Sequence, residues 1–172
     1  YGAAVASRIV DMVYGIEWHE PLARAAESAF RRLGCHNIAV RVGDGSLGWP
    51  EAGPFDAIIV AAAGPQVPQA LQRQLKVGGR LVIPVDPGDG AQRLVRVTRT
   101  DEHRFETEDL GSVLFVPLLG AEGWPVRDRA APAIAATDLA DRVAEAAEPL
   151  PDVDSPGFGP AFDRFADRRV VL

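Results

Sequence analysis

The chain has 172 residues, 47% apolar and 24% charged, the composition of about one globular domain rather than of a disordered or fibrous chain. Eighteen Lys and Arg against 24 Asp and Glu leave a formal charge of −6, which argues against a protein that coats a phosphate backbone, so nucleic acid is not an expected partner. No apolar run approaches the roughly 20 residues that cross a bilayer, Tyr1 to Val10 lacks the parts of a secretory leader, and the single Cys35 suits a reduced, cytoplasmic protein with no membrane partner.

Both ends read as cut. Tyr1-Gly2-Ala3-Ala4 runs straight into a helix without a Met, and Arg168-Arg169-Val170-Val171-Leu172 is a basic pair followed by a β-branched run that stops in mid-element. Between them, Ala3 to Val10 predicts a short Ala-rich helix and Met12 to Ile16 a strand ending on Glu17. Pro21 suits a first helical turn, and Leu22, Ala25, Ala26, Ala29, Phe30 and Leu33 repeat at helical spacing until Gly34 stops them. Ile38 to Val42 is the next strand, broken by Gly43-Asp44-Gly45. A loop through Trp49, Pro50, Gly53 and Pro54 leads to Phe55 to Val60, whose unbroken apolar run suits a strand covered on both faces. Val67 to Leu75 predicts a helix ended by Gly78-Gly79, and Arg80 to Val85 another strand.

The pattern then changes. Gln92 to Thr100 alternates apolar residues with arginines, and a turn at Asp101-Glu102 leads to Phe105 to Glu108, an antiparallel pair; Val113 to Leu118 reads as a last strand. This order predicts an α/β fold, an open and mostly parallel sheet with an antiparallel edge, which binds ligands at the carboxyl ends of its strands. Residues 121–164, rich in Pro, Ala and Asp, read as a linker with one short helix at Thr137 to Ala147. Residues 165–172 read as the start of a following domain.

Candidate ligand groups sit at three strand ends: Glu17, Asp44-Gly45 and Ala61-Ala62-Ala63-Gly64-Pro65. An ionised carboxylate at such a strand tip can accept both hydroxyls of a ribose, yet Glu17 and Glu20 would equally complement the dipole of the helix that follows. On position alone these readings weigh evenly. Asp44 between glycines can face a flat ligand, although an ordinary turn is the better reading of that tripeptide. Trp18 offers a face to an aromatic base or a side chain to the core. His19, His36 and His103 do not converge on a nucleophile, Cys35 reads as packing, and Ser7, Ser28 and Ser112 lack a His partner. Lys76, the only lysine, is expected to face solvent, and no metal-ligand cluster is visible.

Taken together, Val13-Tyr14-Gly15-Ile16-Glu17, Val42-Gly43-Asp44-Gly45 with Gly48-Trp49-Pro50, Pro54 to Val60, Leu75 to Val85 and Phe115-Val116-Pro117-Leu118 resemble the protein-L-isoaspartate O-methyltransferase family in order and spacing, over Tyr1 to about Gly120. The resemblance implies a methyltransferase domain over residues 1–120 with a Rossmann-like class I sheet. It implies S-adenosyl-L-methionine as cofactor and methyl transfer to the carboxylate of L-isoaspartyl residues in damaged proteins. By motif match, Glu17 would bind the ribose hydroxyls, Trp18 would lie near the adenine, and Asp44 with Gly45 would border its ring. Val116, Pro117 and Leu118 would form a wall for the substrate peptide, and Ala61 to Pro65, with Ala62 among the substrate-binding residues, would sit near the transferred methyl.

The family's first sheet strand, its glycine-rich loop and a catalytic Ser or Thr belong to a segment before Tyr1. The 172-residue piece is therefore expected to lack that strand, to expose the edges of its neighbours, to bind cofactor weakly and to turn over nothing measurable. Phe165 to Leu172 is similar to the lead-in of erythromycin-esterase-like domains, which implies a fused C-terminal domain. Competing readings are another class I methyltransferase, a non-catalytic scaffold, and a dinucleotide oxidoreductase on the same architecture.

Overall fold

The computed structural model describes residues 1–88, 90–125 and 168–171. Three helices, α1 (Gly2–Ala6), α2 (Glu20–Arg32) and α3 (Gln69–Arg73), accompany seven strands among the described residues: β1 (Met12–Glu17), β2 (Ile38–Val42), β3 (Phe55–Ile59), β4 (Leu75–Val85), β5 (Arg93–Arg99), β6 (Phe105–Ser112) and β7 (Arg169–Val171). They form one sheet in the order β2-β1-β7-β3-β4-β5-β6. Neighbours from β2 through β4 are parallel, and β4-β5-β6 is antiparallel. The expected α/β sheet with an antiparallel edge is thus present.

Local chemistry explains where the elements start and stop. In α2, Glu20 occupies the first turn and Arg31 and Arg32 the last, each complementing the dipole. At its end the amides of Gly34 and Cys35 return to the carbonyls of Arg31 and Phe30 at 3.2 and 2.9 Å, a Schellman closure. The core lies between α3 and the centre of the sheet, where Phe55, Ile58, Leu71, Leu75, Leu81, Ile83 and Val97 are fully buried. Tyr14 joins it edge-on to both Trp49 and Phe55, with centroids 5.3 and 5.6 Å away.

Three expectations are corrected. Gly78-Gly79 does not end a helix: α3 stops at Arg73, and the glycines lie inside β4 beside a register shift against β3. A Cβ on Gly79 would stand 2.9 Å from the carbonyl oxygens of both Lys76 and Phe55, so only glycine lets the two backbones come this close. Val113 to Leu118 is not a strand. It makes one isolated bridge, Ala63 to Pro117, flanked by Ala63 N–H to Val116 O (2.7 Å) and Leu118 N–H to Ala63 O (2.8 Å). Pro117 has no N–H with which to extend the ladder. Lys76, expected in solvent, is half-buried and its Nζ pairs with Asp56 Oδ2 at 2.7 Å.

The gap expected between β1 and β3 is filled. Arg169–Val171 pairs in parallel with β1 on one side and with β3 on the other. Burying Val170 and Val171 contributes about 3–6 kcal/mol at most, and ordering three residues costs a similar ~3–6 kcal/mol, so docking rests on the remaining polar contacts. Chief among these is Asp56, whose Oδ2 accepts the Arg169 N–H at 3.0 Å as well as the Lys76 ammonium. Burial pushes this carboxyl up. The hydrogen bonds from Lys76 and Arg169 and the charges of Lys76 and Arg168 outweigh that and hold it below the usual carboxylate range. The expected helix at Thr137 to Ala147 lies outside the described residues.

Two outcomes are expected. Gly79→Ala should lower stability by about 1–3 kcal/mol, read from the urea midpoint at unchanged slope, because the clash is with backbone on two sides. A carboxyl held below its unfolded value of about 3.9 gives stability that is complete above that value and is lost as pH falls through the depressed one. The stability gap between the natural chain and Asp56→Asn should therefore be widest near neutral pH and close as pH falls below about 4, measured by urea titrations at several pH values. A gap independent of pH would remove the Asp56 charge from the account.

Candidate active-site cleft

The parallel strands direct their carboxyl ends to one edge of the sheet, and a cleft of about 320 Å³ opens there, within the roughly 300–1,000 Å³ range of small-ligand sites. One wall is the end of β1, Ile16, Glu17 and Trp18, with His19 beside it; the facing wall is Ala61 and Ala62 after β3. Val116, Pro117, Leu118 and Leu119 close one side, Gly45 contributes backbone, and Val171 of β7 lies at the bottom.

Glu17 is half-buried, and its Oε1 accepts the His19 N–H at 2.9 Å. That bond turns the chain sharply at the strand tip and fixes the carboxylate at the cleft edge. Trp18 is 38% exposed beside it, so its indole contributes a surface to the cleft rather than a filling to the core. On the opposite side, Leu114, Phe115 and Val116 form an exposed apolar run, with Val116 at the cleft itself. Gln92 holds this run in place: its Oε1 accepts from Phe115 N–H at 2.6 Å and its Nε2 donates to Phe115 O at 3.1 Å.

Of the residues singled out from the sequence, Glu17, Trp18, Gly45, Ala62, Val116, Pro117 and Leu118 all line this cleft. Asp44 is not among the lining residues. Its Oδ1 accepts Ser46 N–H (2.8 Å) and Ser46 O–H (2.6 Å), and its Oδ2 accepts Ala121 N–H (2.7 Å). The Asp44 side chain thus caps the turn at Gly45–Leu47 and clamps the 119–124 turn onto it, leaving the Gly45 backbone to face the cleft. Gly120 permits the clamp, since a Cβ there would stand 2.0 Å from Asp44 Oδ1. Ser46 Oγ adds a bond from Glu122 N–H at 3.0 Å, and Trp124 Nε1 donates to Ala63 O at 3.0 Å.

Sequence reasoning missed His19, Leu119 and Val171 as lining residues and Gln74 as a support. The buried Gln74 amide accepts Trp49 N–H at 2.8 Å and donates to Leu47 O (2.8 Å) and Ala70 O (2.9 Å), tying the loop after Asp44 to α3. No spacing rule marks such a glutamine; its partners are distant in sequence. Among the described residues, no three His, Cys, Asp or Glu side chains are grouped as metal ligands, and no helix is long and apolar enough to cross a membrane. Cys35 is a buried free thiol.

Comparison with known proteins converges on one family. The family model described as Protein-L-isoaspartate(D-aspartate) O-methyltransferase (PCMT) matches residues 1–123. The chain is 53% identical over 125 residues to the protein-L-isoaspartate O-methyltransferase of Brucella anthropi, covering 73% of this chain and 58% of that one. It is 55% identical over 124 residues to protein-L-isoaspartate O-methyltransferase 2 of Pelobacter propionicus, covering 72% and 55%. A solved protein-L-isoaspartate O-methyltransferase superposes with TM-score 0.67 at 30% identity over 72% of this chain and 40% of its own. A Plasmodium falciparum structure described as such an enzyme in complex with S-adenosyl-L-homocysteine gives TM-score 0.55 at 26% identity, covering 63% and 52%. This chain spans a little over half the length of the curated relatives named here. On the match over residues 1–123 and the identity to these relatives, the chain belongs to the protein-L-isoaspartate(D-aspartate) O-methyltransferase family.

Proposed function

We propose that the protein carrying this chain transfers a methyl group from S-adenosyl-L-methionine to the free carboxylate of L-isoaspartyl residues in damaged proteins, with the cleft at the ends of β1 and β3 as the site. The observation that carries the reading is the pairing of opposites across one cleft: a carboxylate and an indole on the β1 tip face the small and apolar Ala61, Ala62 and Val116 to Leu118. The Plasmodium falciparum relative in complex with S-adenosyl-L-homocysteine supports the same choice of cofactor.

The residues present fit an adenosyl group. Glu17 offers acceptor oxygens to a pair of ribose hydroxyls, Trp18 offers a flat apolar face, and the Gly45 backbone comes close where a side chain would obstruct. Asp44 acts from behind, holding the Gly45 turn at the border of the base. When bound, the cofactor supplies a methyl group on a sulfonium that is already activated for transfer. An isoaspartyl carboxylate is already an anionic nucleophile, so no strong base is needed from the chain, in keeping with the absence of a converging histidine. What these residues contribute is position and dryness. Ala61 and Ala62 leave room for two reactants to meet in line, and Val116, Pro117 and Leu118 exclude water that would otherwise solvate the nucleophile. The exposed Leu114 and Phe115 extend that wall for the flanking peptide. A cytoplasmic location accompanies this reading, as the free Cys35 thiol suits a reducing compartment.

The test is a methyl-transfer assay on the full-length protein with an isoaspartyl peptide beside its aspartyl twin. Transfer to the first and not the second is expected; equal transfer, or none, overturns the reading. The 172 residues alone are expected to give no measurable turnover. Glu17→Gln in the full-length protein should weaken S-adenosylhomocysteine binding about 10–100-fold by calorimetry, the worth of hydrogen bonds to a charged acceptor, with little change in stability. Asp44→Ala should do the reverse first. It should cost about 1–3 kcal/mol of stability, because three donors lose their acceptor, and weaken binding only through the loosened Gly45 turn.

A further inference from the structure

The Leu114-Phe115-Val116 run on the acceptor side of the cleft is not held by burial. Leu114 is 88% and Val116 68% exposed, so their side chains have little to pack against, and hydrogen bonds to the backbone must fix the course of the chain. Behind the run the β5-β6 hairpin comes to an end, its last ladder pair being Arg93 with Ser112. Gln92 carries the pattern beyond that end. Its carbonyl accepts the Val113 N–H at 3.1 Å, as the next rung would. Its side chain then stands in for a further residue: Oε1 accepts the Phe115 N–H at 2.6 Å and Nε2 donates to the Phe115 carbonyl at 3.1 Å. One primary amide thus gives Phe115 the acceptor and the donor that an opposite residue gives in an antiparallel hydrogen-bonded pair.

The second half of the wall is tied elsewhere. Ala63, just past β3, donates its N–H to Val116 O at 2.7 Å and accepts the Leu118 N–H at 2.8 Å, and the Leu118 side chain is buried. The wall therefore hangs between two supports, Ala63 behind Val116 to Leu118 and Gln92 behind Phe115. Gln92 does not line the cleft, and the strand that follows it, β5, is separated from β1 by three others. Loss of the Gln92 support loosens one wall and leaves Glu17, Trp18 and Gly45 as they are.

We propose that Gln92 is a positioning residue for the acceptor peptide: by clasping both backbone groups of Phe115 it keeps Leu114 to Val116 on one course along the cleft, and so sets affinity for the isoaspartyl peptide without setting affinity for the cofactor. It touches neither reactant and acts through the wall. The role rests on the methyl-transfer reading above and deepens it on the acceptor side. An exposed run that is ordered in advance spares the peptide the entropy of ordering it on binding.

The test uses the full-length protein with Gln92→Met, which keeps the length of the side chain and removes both bonds, and with Gln92→Glu, which keeps an acceptor for Phe115 N–H and, ionised, has no donor for Phe115 O. Expected for Gln92→Met is a KM for an isoaspartyl peptide raised on the order of tenfold, with kcat and S-adenosylhomocysteine affinity within about twofold of the natural protein, the split that marks lost substrate binding. Gln92→Glu should fall between the two. Amide hydrogen exchange supplies a local control, because the Val113 N–H is bound to the Gln92 main chain and the Phe115 N–H to its side chain. In Gln92→Met the Phe115 amide should exchange on the order of tenfold faster and the Val113 amide at its natural rate. An unchanged KM, or an unchanged Phe115 rate, overturns the proposal. A loss of kcat or of S-adenosylhomocysteine affinity as large as the rise in KM also overturns it, since that is a general loss of structure. If Gln92→Met loses protection at Val113 as well, Gln92→Glu decides alone: a raised KM at unchanged kcat and cofactor affinity sustains the role, and a natural KM rejects it. A natural protein that methylates no isoaspartyl peptide rejects the activity and this role with it, whereas an active natural protein beside variants of natural KM rejects the role alone.

Discussion

Parallel pairing of β1, β7 and β3 is the constraint from which the rest follows. Because the three strands run the same way, their carboxyl ends reach one edge together, and Glu17, Val171 and Ala61 become neighbours although they are far apart in the chain. Side chains alternate faces along a strand, so a slip of one residue in β7 would turn Val171 away from the cleft and Val170 out of its buried place. Both valines are buried in the observed register.

Three carboxylates near the sheet are put to three uses by their surroundings. Glu17 is partly exposed at the cleft edge, and its Oε1 accepts from the His19 amide, which leaves further acceptor capacity on the carboxylate. Asp44 accepts three hydrogen bonds, from the Ser46 N–H and O–H and from the Ala121 N–H, and so clasps two turns together. Asp56 sits at the opposite end of the sheet, between the ammonium of Lys76 and the amide of Arg169, and joins β3, β4 and β7. A carboxylate's role here is decided by how many donors already point at it.

The loop supports show a similar division. Gln74 and Trp124 touch backbone rather than ligand space, and they fix the positions of the Gly45 turn and of Ala63. Their rigidity allows small and apolar residues to shape the cleft without a network of side-chain hydrogen bonds inside it. An apolar lining of this kind favours chemistry that needs alignment and exclusion of water over chemistry that needs proton transfer.

Much of the sheet was legible in the residues themselves. Ile38–Val42 is a strand with the expected bounds, α2 ends where Gly34 says it should, and the arginine-alternating segment after Gln92 is the antiparallel hairpin. These elements are set by local rules: periodicity, caps and turn residues act over a few positions, and so a linear reading finds them. Glu17, Trp18 and Gly45 come to line one cleft because the parallel strands end at the same edge of the sheet, and Val116, Pro117 and Leu118, which the family resemblance singled out, line the same cleft. Whatever depended on distant partners was decided only in three dimensions. Gly78-Gly79 looks like a helix stop until the β3 backbone lies against it, and Val113 to Leu118 looks like a strand until Pro117 meets Ala63 with no N–H to give. That Asp44 also reaches the Ala121 amide, far along the chain, is visible only in space. The β-branched Val170-Val171 run reads as strand from its residues alone, but which strands it pairs with is decided only in the folded sheet.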